Sequence, residues 1–385
     1  MGGRLISSLI LTGAILATAP CALAVTEYDV IDIPGMTASN GQTYAHALNN
    51  LGQVVGGYSH VLLYSGGTTQ ELDFQNIAIP TVGTGINDSG QIVGFGFSGQ
   101  SGKAGQASQA FFYSNGTDTN LASLLPYPGA GWAHSVNASG EAVVENYETV
   151  NGGPDHLLTY QNGVVTDLHV TGFSPTIIND LGHIAGTVNQ RASFYDGQVH
   201  DLGTPAGDVS VASGMNNSDQ IVGYIRDGST GAASAYVYSN GAITELGTLH
   251  GDNSYAYAIN NLGQIVGSSD SNVVLGGAFI DSNDQMTDLN TLIAPGGNPQ
   301  GLHIDDAFGI SDSGYILGTG STLGPSPTYE TVLLVPTTPE PGACGIALLA
   351  AAGLLRRRRR AGSNAGGAGR LSIQTSDLVL IGDGL

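Results

Sequence analysis

Short apolar runs separated by polar turn residues recur along this chain, and residues 254–289 show the pattern most clearly. The stretch predicts four strands, at Tyr255–Ile259, Gln264–Ser268, Gly277–Ile280 and Met286–Leu289. The run Asn260-Asn261-Leu262-Gly263 between the first two is typical of a tight turn, because Asn and Gly tolerate positive φ angles. No sustained helical period of apolar residues occurs in the body of the chain.

The first half of this pattern occurs seven times along the chain, with variations. The copies are Ala45–Gly56, Gly83–Gly94, Ala133–Val144, Pro175–Gly186, Ala212–Gly223, Ala256–Gly267 and Ala307–Gly318. The asparagine that opens the turn stands at 49, 87, 137, 179, 216 and 260, and Ser311 takes its place in the seventh copy. Four strands per copy at this spacing are typical of propeller blades. The sequence therefore predicts an all-β, seven-bladed propeller of four-stranded blades.

The phase of the repeats predicts how the ring closes. The seventh copy has its third predicted strand at Thr328–Val335, and the chain then reaches Pro336 without a fourth. Tyr28–Ile33, at the start of the mature chain, carries the fourth-strand pattern instead. We expect this N-terminal strand to complete the last blade, because a closed ring has no open sheet edges. A linear β-solenoid is the alternative, but it would not need this offset of phase.

Glycine closes the second predicted strand in six copies, at positions 56, 94, 186, 223, 267 and 318. Glycine inside a strand indicates a bend or a close approach of another backbone segment. The third copy has Val144 at this position, so the requirement is not absolute.

The first 24 residues predict a secretory signal peptide. Met1–Arg4 is a short positive start, Leu5–Ala19 is apolar, and Ala22-Leu23-Ala24 is a small-x-small cleavage site. The two cysteines, Cys21 and Cys344, leave residues 25–340 without any. The exported body must therefore be stabilised by packing and not by disulfides.

Charge is strongly asymmetric along the chain. The net charge is −21, and between residues 25 and 340 the basic side chains are Lys103, Arg191 and Arg226, against 29 acidic ones. An acidic body of this kind repels phosphate backbones, which argues against nucleic acid as a partner. The carboxylates favour solubility, and a subset of them could bind divalent cations.

The repeated motif, with its apolar-aromatic third strand and its polar-Leu fourth strand, resembles the extracellular HAF-repeat family. The copies at Tyr255–Gly267 and Thr244–Leu249 carry the resemblance best, and it covers residues 26–335. The His-Ala-Phe triplet that names the family is degenerate here, as in Gln109-Ala110-Phe111. The resemblance implies an exported repeat protein and brings no agreed catalytic residues.

The C-terminal region resembles a PEP-CTERM sorting signal. Pro339-Glu340-Pro341 precedes the apolar segment 342–355 and the cluster Arg356, Arg357, Arg358, Arg359 and Arg360. Arginines that follow an apolar segment stay in the cytoplasm and stop its transfer across the membrane, so we expect the segment to be a short anchor helix. Fourteen helical residues span only about 21 Å, which is less than the roughly 30 Å hydrocarbon core. The resemblance implies an exosortase-type enzyme as partner, transient membrane anchoring, and release to the cell surface or matrix.

Together these features divide the chain into four parts. They are a signal peptide (1–24), the HAF-repeat propeller (25–336), the sorting and anchor segment (337–360) and a tail expected to be disordered (361–385).

Sequence motifs for catalysis and cofactor binding are absent. The chain has no His-Glu-x-x-His, no Gly-x-Ser-x-Gly and no Gly-x-x-x-x-Gly-Lys, and no cofactor is implied. Oxygen-rich turns suit calcium, and two of them provide weak candidates. These are Asp281, Asn283 and Asp284 in one turn, and Asp305 and Asp306 in the other.

The third copy departs most from the repeat. It holds Trp132, the single tryptophan, with His134 nearby, while Glu141 replaces the motif glutamine and Glu145 follows. Functional residues are often found where one repeat departs from the pattern of the others, so these four residues are candidates for ligand binding. The alternative is a drifted blade with its Trp in the core and its glutamates in solvent.

Two functional hypotheses follow from these features. The first is a binding or structural propeller at the cell surface or in the extracellular matrix, without catalysis, whose partner is a polysaccharide or a matrix protein. The second is an extracellular polysaccharide hydrolase or lyase, in which two carboxylates of the third copy act as acid and base.

Overall fold

Seven antiparallel sheets of four strands each form the part of the chain that the computed structural model describes. The described residues are 26–37, 44–77, 80–97, 108–127, 129–148, 153–270, 277–324 and 326–337, and they belong to one compact unit, 25–338. Each sheet is one blade, so the predicted seven-bladed, all-β propeller of four-stranded blades is confirmed. The anchor helix expected within 342–355 lies outside the described residues.

The first four blades follow the chain without interruption. Blade 1 contains β2 (Ala45–Leu48), β3 (Val54–Gly56), β4 (Leu62–Ser65) and β5 (Thr68–Glu71). Blade 2 contains β6 (Thr81–Ile86), β7 (Ile92–Phe97), β8 (Ser108–Ser114) and β9 (Thr117–Asn120). Blade 3 contains β10 (Gly129–Val136), β11 (Ala142–Glu148), β12 (Asp155–Gln161) and β13 (Val164–Thr171). Blade 4 contains β14 (Phe173–Ile178), β15 (Ile184–Val188), β16 (Arg191–Tyr195) and β17 (Val199–Asp201).

The last three blades include the junction of the two ends of the propeller. Blade 5 contains β18 (Val209–Met215), β19 (Ile221–Arg226), β20 (Ala233–Ser239) and β21 (Ala242–Glu245). Blade 6 contains β22 (Ser254–Ile259), β23 (Ile265–Ser269), β24 (Gly277–Asp281) and β25 (Met286–Asp288). Blade 7 contains β26 (His303–Ile310), β27 (Ile316–Ser321), β28 (Tyr329–Pro336) and the N-terminal β1 (Tyr28–Asp32). Two short 3₁₀ helices, η1 (Leu121–Ser123) and η2 (Leu289–Leu292), follow β9 and β25.

The N-terminal strand closes the ring as the repeat phase predicts. β1 pairs antiparallel with β28 from Tyr28↔Pro336 to Asp32↔Val332. Tyr28 and Val30 are buried against blade 6 residues such as Val266, while Ile33 is buried in the cluster shared with blade 1. The N-terminal segment therefore belongs to two blade junctions, and the outer edge of β28 is covered.

The hydrophobic core is divided into seven clusters, one at each junction between neighbouring blades. Phe111 and Phe279, which occupy the same place in blades 2 and 6, are fully buried in two of them. Truncating a buried Phe to Ala costs about 3–5 kcal/mol. Because each blade packs only on its two neighbours, the whole ring depends on every junction.

The glycines that close the second strands are required by close backbone approach, as the sequence suggests. A Cβ at Gly267 would collide with the carbonyl oxygen of Tyr255, and one at Gly223 would collide with that of Val211. The other four glycines of this set have the same relationship to the first strand of their blade. Blade 3 accommodates Val144 here, fully buried and paired with Ala133.

The asparagine that opens each motif turn makes bonds in two directions. In blade 1, Oδ1 of Asn49 accepts the backbone N–H groups of Leu51 at 3.1 Å and Gln53 at 3.0 Å, which shapes the turn. Its Nδ2 donates to the carbonyl of Asn87 in blade 2 at 3.0 Å. We call this set of interblade bonds the inner ring, and its other donors are Asn87, Asn137, Asn179, Asn216 and Asn260.

The residue after that asparagine forms a second set of links, the outer ring. Its side-chain oxygen accepts the backbone N–H of the equivalent residue in the preceding blade, as Asp88 does for Asn50 at 2.8 Å. The other acceptors are Asp180, Asn217, Asn261, Asp312 and Asn50. Ala138 has no side-chain acceptor, so the outer ring is interrupted between blades 2 and 3. The motif asparagines are thus engaged in joining blades.

Candidate functional site

The central channel contains a cavity of about 440 Å³ that extends inward from the motif turns. One residue per blade lines it at the same depth, three positions before the opening asparagine. These residues are His46, Thr84, His134, Thr176, Ser213, Tyr257 and Phe308. In blade 3 the register of β10 and β11 shifts between Ala133 and Ser135, so His134 is the bulged residue. Bulges commonly re-aim a side chain, and here the bulge places His134 in the channel wall.

Glu145 is a buried carboxylate in blade 3, and only 1% of its side chain is exposed. One oxygen, Oε2, accepts from the Tyr147 hydroxyl at 2.8 Å and lies 3.1 Å from Nε2 of His134. The other, Oε1, accepts from the Ser174 hydroxyl of blade 4 at 3.0 Å. A buried charge is costly unless it is hydrogen-bonded. Glu145 therefore holds these three side chains in a fixed arrangement.

Trp132 lies directly opposite Glu145 in the strand register and is surrounded by aromatic rings. Its ring stacks on Phe95 of blade 2 with centroids 5.1 Å apart and an interplanar angle of 19°. Tyr147 approaches it edge-on at 5.2 Å. All three rings are only partly buried, so they form an apolar shelf beside a polar cluster. We call Phe95, Trp132, His134, Glu145, Tyr147 and Ser174 the Trp132 site.

The segment that enters blade 3 is held by contacts with β11, β12 and β13. The Tyr127 hydroxyl donates to Asp167 at 2.6 Å, and the Tyr127 ring stacks on His156 with centroids 3.5 Å apart. The buried Asn146 accepts from the backbone N–H of Tyr127 and donates to the carbonyl of Ala130 at 3.0 Å. These contacts fix the backbone from which the strand carrying Trp132 begins.

The electrostatic environment raises the pKa of the phenol in the site and the pKa of a nearby carboxyl. Burial, followed by the charge of Glu145, raises the pKa of Tyr147 far above its usual value. Burial also raises the pKa of Asp155, and the charge of Glu145 adds to this shift. Tyr147 therefore remains a hydrogen-bond donor to Glu145 throughout the neutral pH range.

Three of the four candidates in the third copy converge, whereas Glu141 lies elsewhere. Trp132, His134 and Glu145 belong to the Trp132 site, while the carboxylate of Glu141 lies beside Gly182 in the motif turn of blade 4. Four residues of extended chain separate Glu141 from Glu145, which is about 13 Å. Acid–base pairs that cleave glycosidic bonds lie roughly 5–9.5 Å apart, so these two glutamates are not positioned as such a pair.

The calcium candidates lie in two separate blades. Asp281 is buried at the end of β24 and its pKa is raised by burial, while Asn283 and Asp284 follow in a turn with positive φ angles. Oδ1 of Asp305 lies 3.1 Å from Nδ1 of His303, and Oδ2 of Asp306 accepts from the Thr319 hydroxyl at 3.3 Å. Among the described residues, no group of three or more His, Cys, Asp or Glu side chains is arranged to hold a metal ion.

Sequence reasoning missed three members of the Trp132 site. Phe95 and Ser174 come from the neighbouring blades, and Tyr147 follows Glu145 by two positions on β11. Alignment of the repeats could have found the first two, since Phe95 and Glu145 both stand eight residues after their motif asparagines, and Trp132 and Ser174 both stand five before theirs. Only the packing of blades shows that these columns meet.

The sorting motif, Pro339–Pro341 and Arg356–Arg360, lies outside the described residues. Within the ranges that the structure describes, no helix is long and apolar enough to cross a membrane.

No protein-family model matches this chain, and no curated protein matches it. Among solved structures it is similar to a puromycin hydrolase variant, with 10% identity, 77% of this chain and 50% of that chain covered, and a TM-score of 0.46. It is also similar to an acylaminoacyl peptidase from Pyrococcus horikoshii, with 10% identity, 71% of this chain and 48% of that chain covered, and a TM-score of 0.45. A puromycin-hydrolyzing peptidase from Mycobacterium tuberculosis is similar with 12% identity, 83% of this chain and 53% of that chain covered, and a TM-score of 0.44. The chain spans about half the length of these structures. The propeller assignment rests on the sheet order of the chain itself.

Proposed function

We propose that this chain is an exported propeller that binds a neutral polysaccharide at the Trp132 site and acts as a binding or structural module. The observation that carries the proposal is the arrangement around Glu145. The buried carboxylate holds His134, Tyr147 and Ser174 beside the stacked rings of Trp132 and Phe95.

The chemistry of the site fits a sugar ring. A sugar presents an apolar face of C–H groups and a rim of hydroxyls, and aromatic shelves beside fixed donors and acceptors match both. The acidic body, with a chain net charge of −21, repels anionic polymers. The ligand is therefore an uncharged glycan.

Binding without cleavage is favoured by the bonding of Glu145. Both of its oxygens are already used by protein donors, so the carboxylate positions other side chains. The second candidate function is glycan cleavage, and one observation favours it. Asp155 lies opposite Tyr147 in the strand register, near enough to Glu145 for the two carboxyl groups to interact, and glycan cleavage uses a pair of carboxyl groups.

The location of the protein is part of the same proposal. The signal peptide at 1–24 and the resemblance of 337–360 to a PEP-CTERM signal support export, processing by an exosortase-type enzyme and a final place at the cell surface or in the matrix. The resemblance of the repeats to the extracellular HAF-repeat family agrees with that location.

A glycan array with the full purified chain tests the binding function. We expect retention on neutral glycans, and at least about a tenfold loss of affinity for Trp132→Ala, as for truncation of an aromatic hot spot. Tyr238→Ala, which removes a partly buried tyrosine from β20, is the matched control, and melting curves show that each variant folds. Absence of neutral glycan binding, or an unchanged Trp132→Ala, overturns the proposal. Turnover of a bound polysaccharide overturns it in favour of the enzyme.

A further inference from the structure

The packing of neighbouring blades repeatedly joins two columns of the sequence repeat. The first is the residue five positions before the motif asparagine, on the first strand of a blade, and the second is the residue eight positions after it, on the second strand. We call the second-strand residue of one blade and the first-strand residue of the next a rim pair. Side-chain contacts join Phe95 to Trp132, Glu145 to Ser174 and Tyr224 to Tyr255. Around the ring the pairs of positions are Gly57/Val82, Phe95/Trp132, Glu145/Ser174, Thr187/Val211, Tyr224/Tyr255, Ser268/Asp306 and Thr319/Tyr44.

These seven pairs contain the same series twice. A small residue with valine is followed by an aromatic pair and then by an acid with serine, and the series begins again three blades later. Thr319/Tyr44 is the remaining pair. The Trp132 site contains the aromatic and acid–serine pairs of the first series, so the second series places the same chemistry at blades 5, 6 and 7.

The two aromatic pairs have the same ring spacing and different ring orientations. Phe95 and Trp132 are stacked, with centroids 5.1 Å apart and an interplanar angle of 19°, whereas Tyr224 and Tyr255 meet edge-on, with centroids 5.0 Å apart and an angle of 72°. The second pair extends further, because Tyr255 lies parallel to Tyr257, with an interplanar angle of 6° and centroids 6.3 Å apart. These three tyrosines are partly buried, as are the rings of the Trp132 site.

The two acid–serine pairs also correspond, with the partners exchanged between the blades. In the first, Glu145 accepts from Ser174. In the second, Ser268 and Asp306 occupy the corresponding positions, and Asp306 accepts from the Thr319 hydroxyl at 3.3 Å.

In each arrangement, the residue three positions before the motif asparagine lines the channel and contacts one member of the acid–serine pair. His134 bonds Glu145 within blade 3, and the Tyr257 and Ser268 hydroxyls lie 3.2 Å apart within blade 6. Both His134 and Tyr257 belong to the ring of residues that lines the cavity. The correspondence therefore covers three columns of the repeat.

We propose that Tyr224, Tyr255, Tyr257, Ser268 and Asp306 form a second glycan site, equivalent to the Trp132 site, and that one glycan chain occupies both sites across the channel mouth. This inference rests on the proposed function and adds to it a second site and a chain-length requirement.

Occupation of both sites by one chain makes affinity depend on glycan length. The two sites lie at the same end of the channel because they use the same positions of the repeat, and they are three of seven blades apart. A chain long enough to reach both gains from effective concentration, on the order of a hundredfold over a short oligosaccharide. A short oligosaccharide fills each site separately.

Array binding and calorimetry with short and long neutral glycans test the inference on the full chain. We expect two short oligosaccharides per protein in the wild type, and one each in Trp132→Ala and Tyr255→Ala. Each single variant loses the hundredfold advantage of long chains, and the double variant loses binding. Tyr238→Ala, which lies outside both sites, behaves as wild type. Tyr224→Ala serves as the second variant if Tyr255→Ala does not fold.

The outcomes separate the two proposals. Loss of binding in Trp132→Ala with an unchanged Tyr255→Ala overturns the second site and leaves the proposed function standing. Absence of any neutral glycan binding in the wild type overturns both. Retention of a proline-rich peptide in place of glycans, sensitive to both tyrosine and tryptophan variants, overturns the glycan assignment.

Discussion

The backbone N–H of Asp312 donates to Oδ1 of Asn50 at 2.7 Å, joining the last blade to the first across 262 positions. This outer-ring bond lies at the junction where the inner ring has Ser311 in place of asparagine. Among the described residues, no side-chain bond joins Ser311 to Asn49. At the junction of blades 2 and 3 the situation is reversed, since Ala138 lacks an acceptor and Asn87 still donates to Asn137 at 2.9 Å. Each junction therefore keeps at least one of the two links.

Asn50→Ala should destabilise the propeller more than Asn261→Ala. Both changes remove one acceptor for a backbone N–H and one amide–carboxylate bond. Asn261 lies at a junction that retains the inner-ring bond from Asn216 to Asn260, whereas Asn50 provides, among the described residues, the sole ring bond between blade 7 and blade 1. We expect about 1–2 kcal/mol for Asn50→Ala and roughly half of that for Asn261→Ala in urea unfolding. Equal losses would show that the rings do not compensate for each other.

Deletion of residues 25–36 should abolish cooperative folding of the propeller. The deletion removes the buried Tyr28, Val30, Ile33 and Met36 and leaves the edge of β28 unpaired. Each buried side chain contributes about 1.5–3 kcal/mol, and the sum is comparable to a typical net stability of about 5–15 kcal/mol. Differential scanning calorimetry checks the result, with Ile31→Ala as control because this neighbour is 39% exposed. A deletion variant that melts near the wild-type temperature contradicts ring closure by β1.

Glu145→Gln should lower the pKa values of both Tyr147 and Asp155. For each of them burial is the first cause of the raised pKa and the charge of Glu145 is the next, and the substitution removes that charge. NMR titration measures both groups. Glu141→Gln is the matched control, since its carboxylate lies beside Gly182. Unchanged values in Glu145→Gln would contradict the electrostatic link between Glu145 and these two groups.

The same substitution should change how stability depends on pH. A carboxyl whose folded pKa is raised binds its proton more tightly in the native state, so it favours folding at low pH. That contribution is lost as pH rises from the unfolded value of about 3.9 through the raised folded pKa of Asp155. In Glu145→Gln this loss should be smaller than in the wild type, as measured by melting temperature across the acidic range.

Replacing Arg356–Arg360 with glutamine should change where the propeller accumulates. The cluster is expected to keep the apolar segment 342–355 in the membrane before processing, so its loss should allow unprocessed protein to pass into the medium. Fractionation of a tagged chain measures this, with Arg370→Gln as the control. Identical fractionation of the two variants would refute the sorting signal.

The fold could be predicted almost entirely from the repeat, because the apolar runs and turn residues of each copy indicate its strands and turns. The strands predicted for blade 6 agree with the observed Ser254–Ile259, Ile265–Ser269, Gly277–Asp281 and Met286–Asp288 to within a residue at each end. The phase of the repeat indicated that Tyr28–Ile33 completes blade 7. The candidate site was predicted only in part, since Trp132, His134 and Glu145 stand in one copy while Phe95 and Ser174 stand in others.

The sequence by itself determined the number of blades, their strand order and the closure of the ring, because these follow from local periodicity and turn chemistry. Tertiary structure decided which columns of the repeat meet between blades. It placed Glu145 among His134, Tyr147 and Ser174 and put Glu141 beside the next motif turn. It also brought Tyr224 edge-on against Tyr255 in the columns where Phe95 stacks on Trp132. The physical reason is that a blade cannot bury its faces alone, so its side chains acquire their environment from the neighbouring blades.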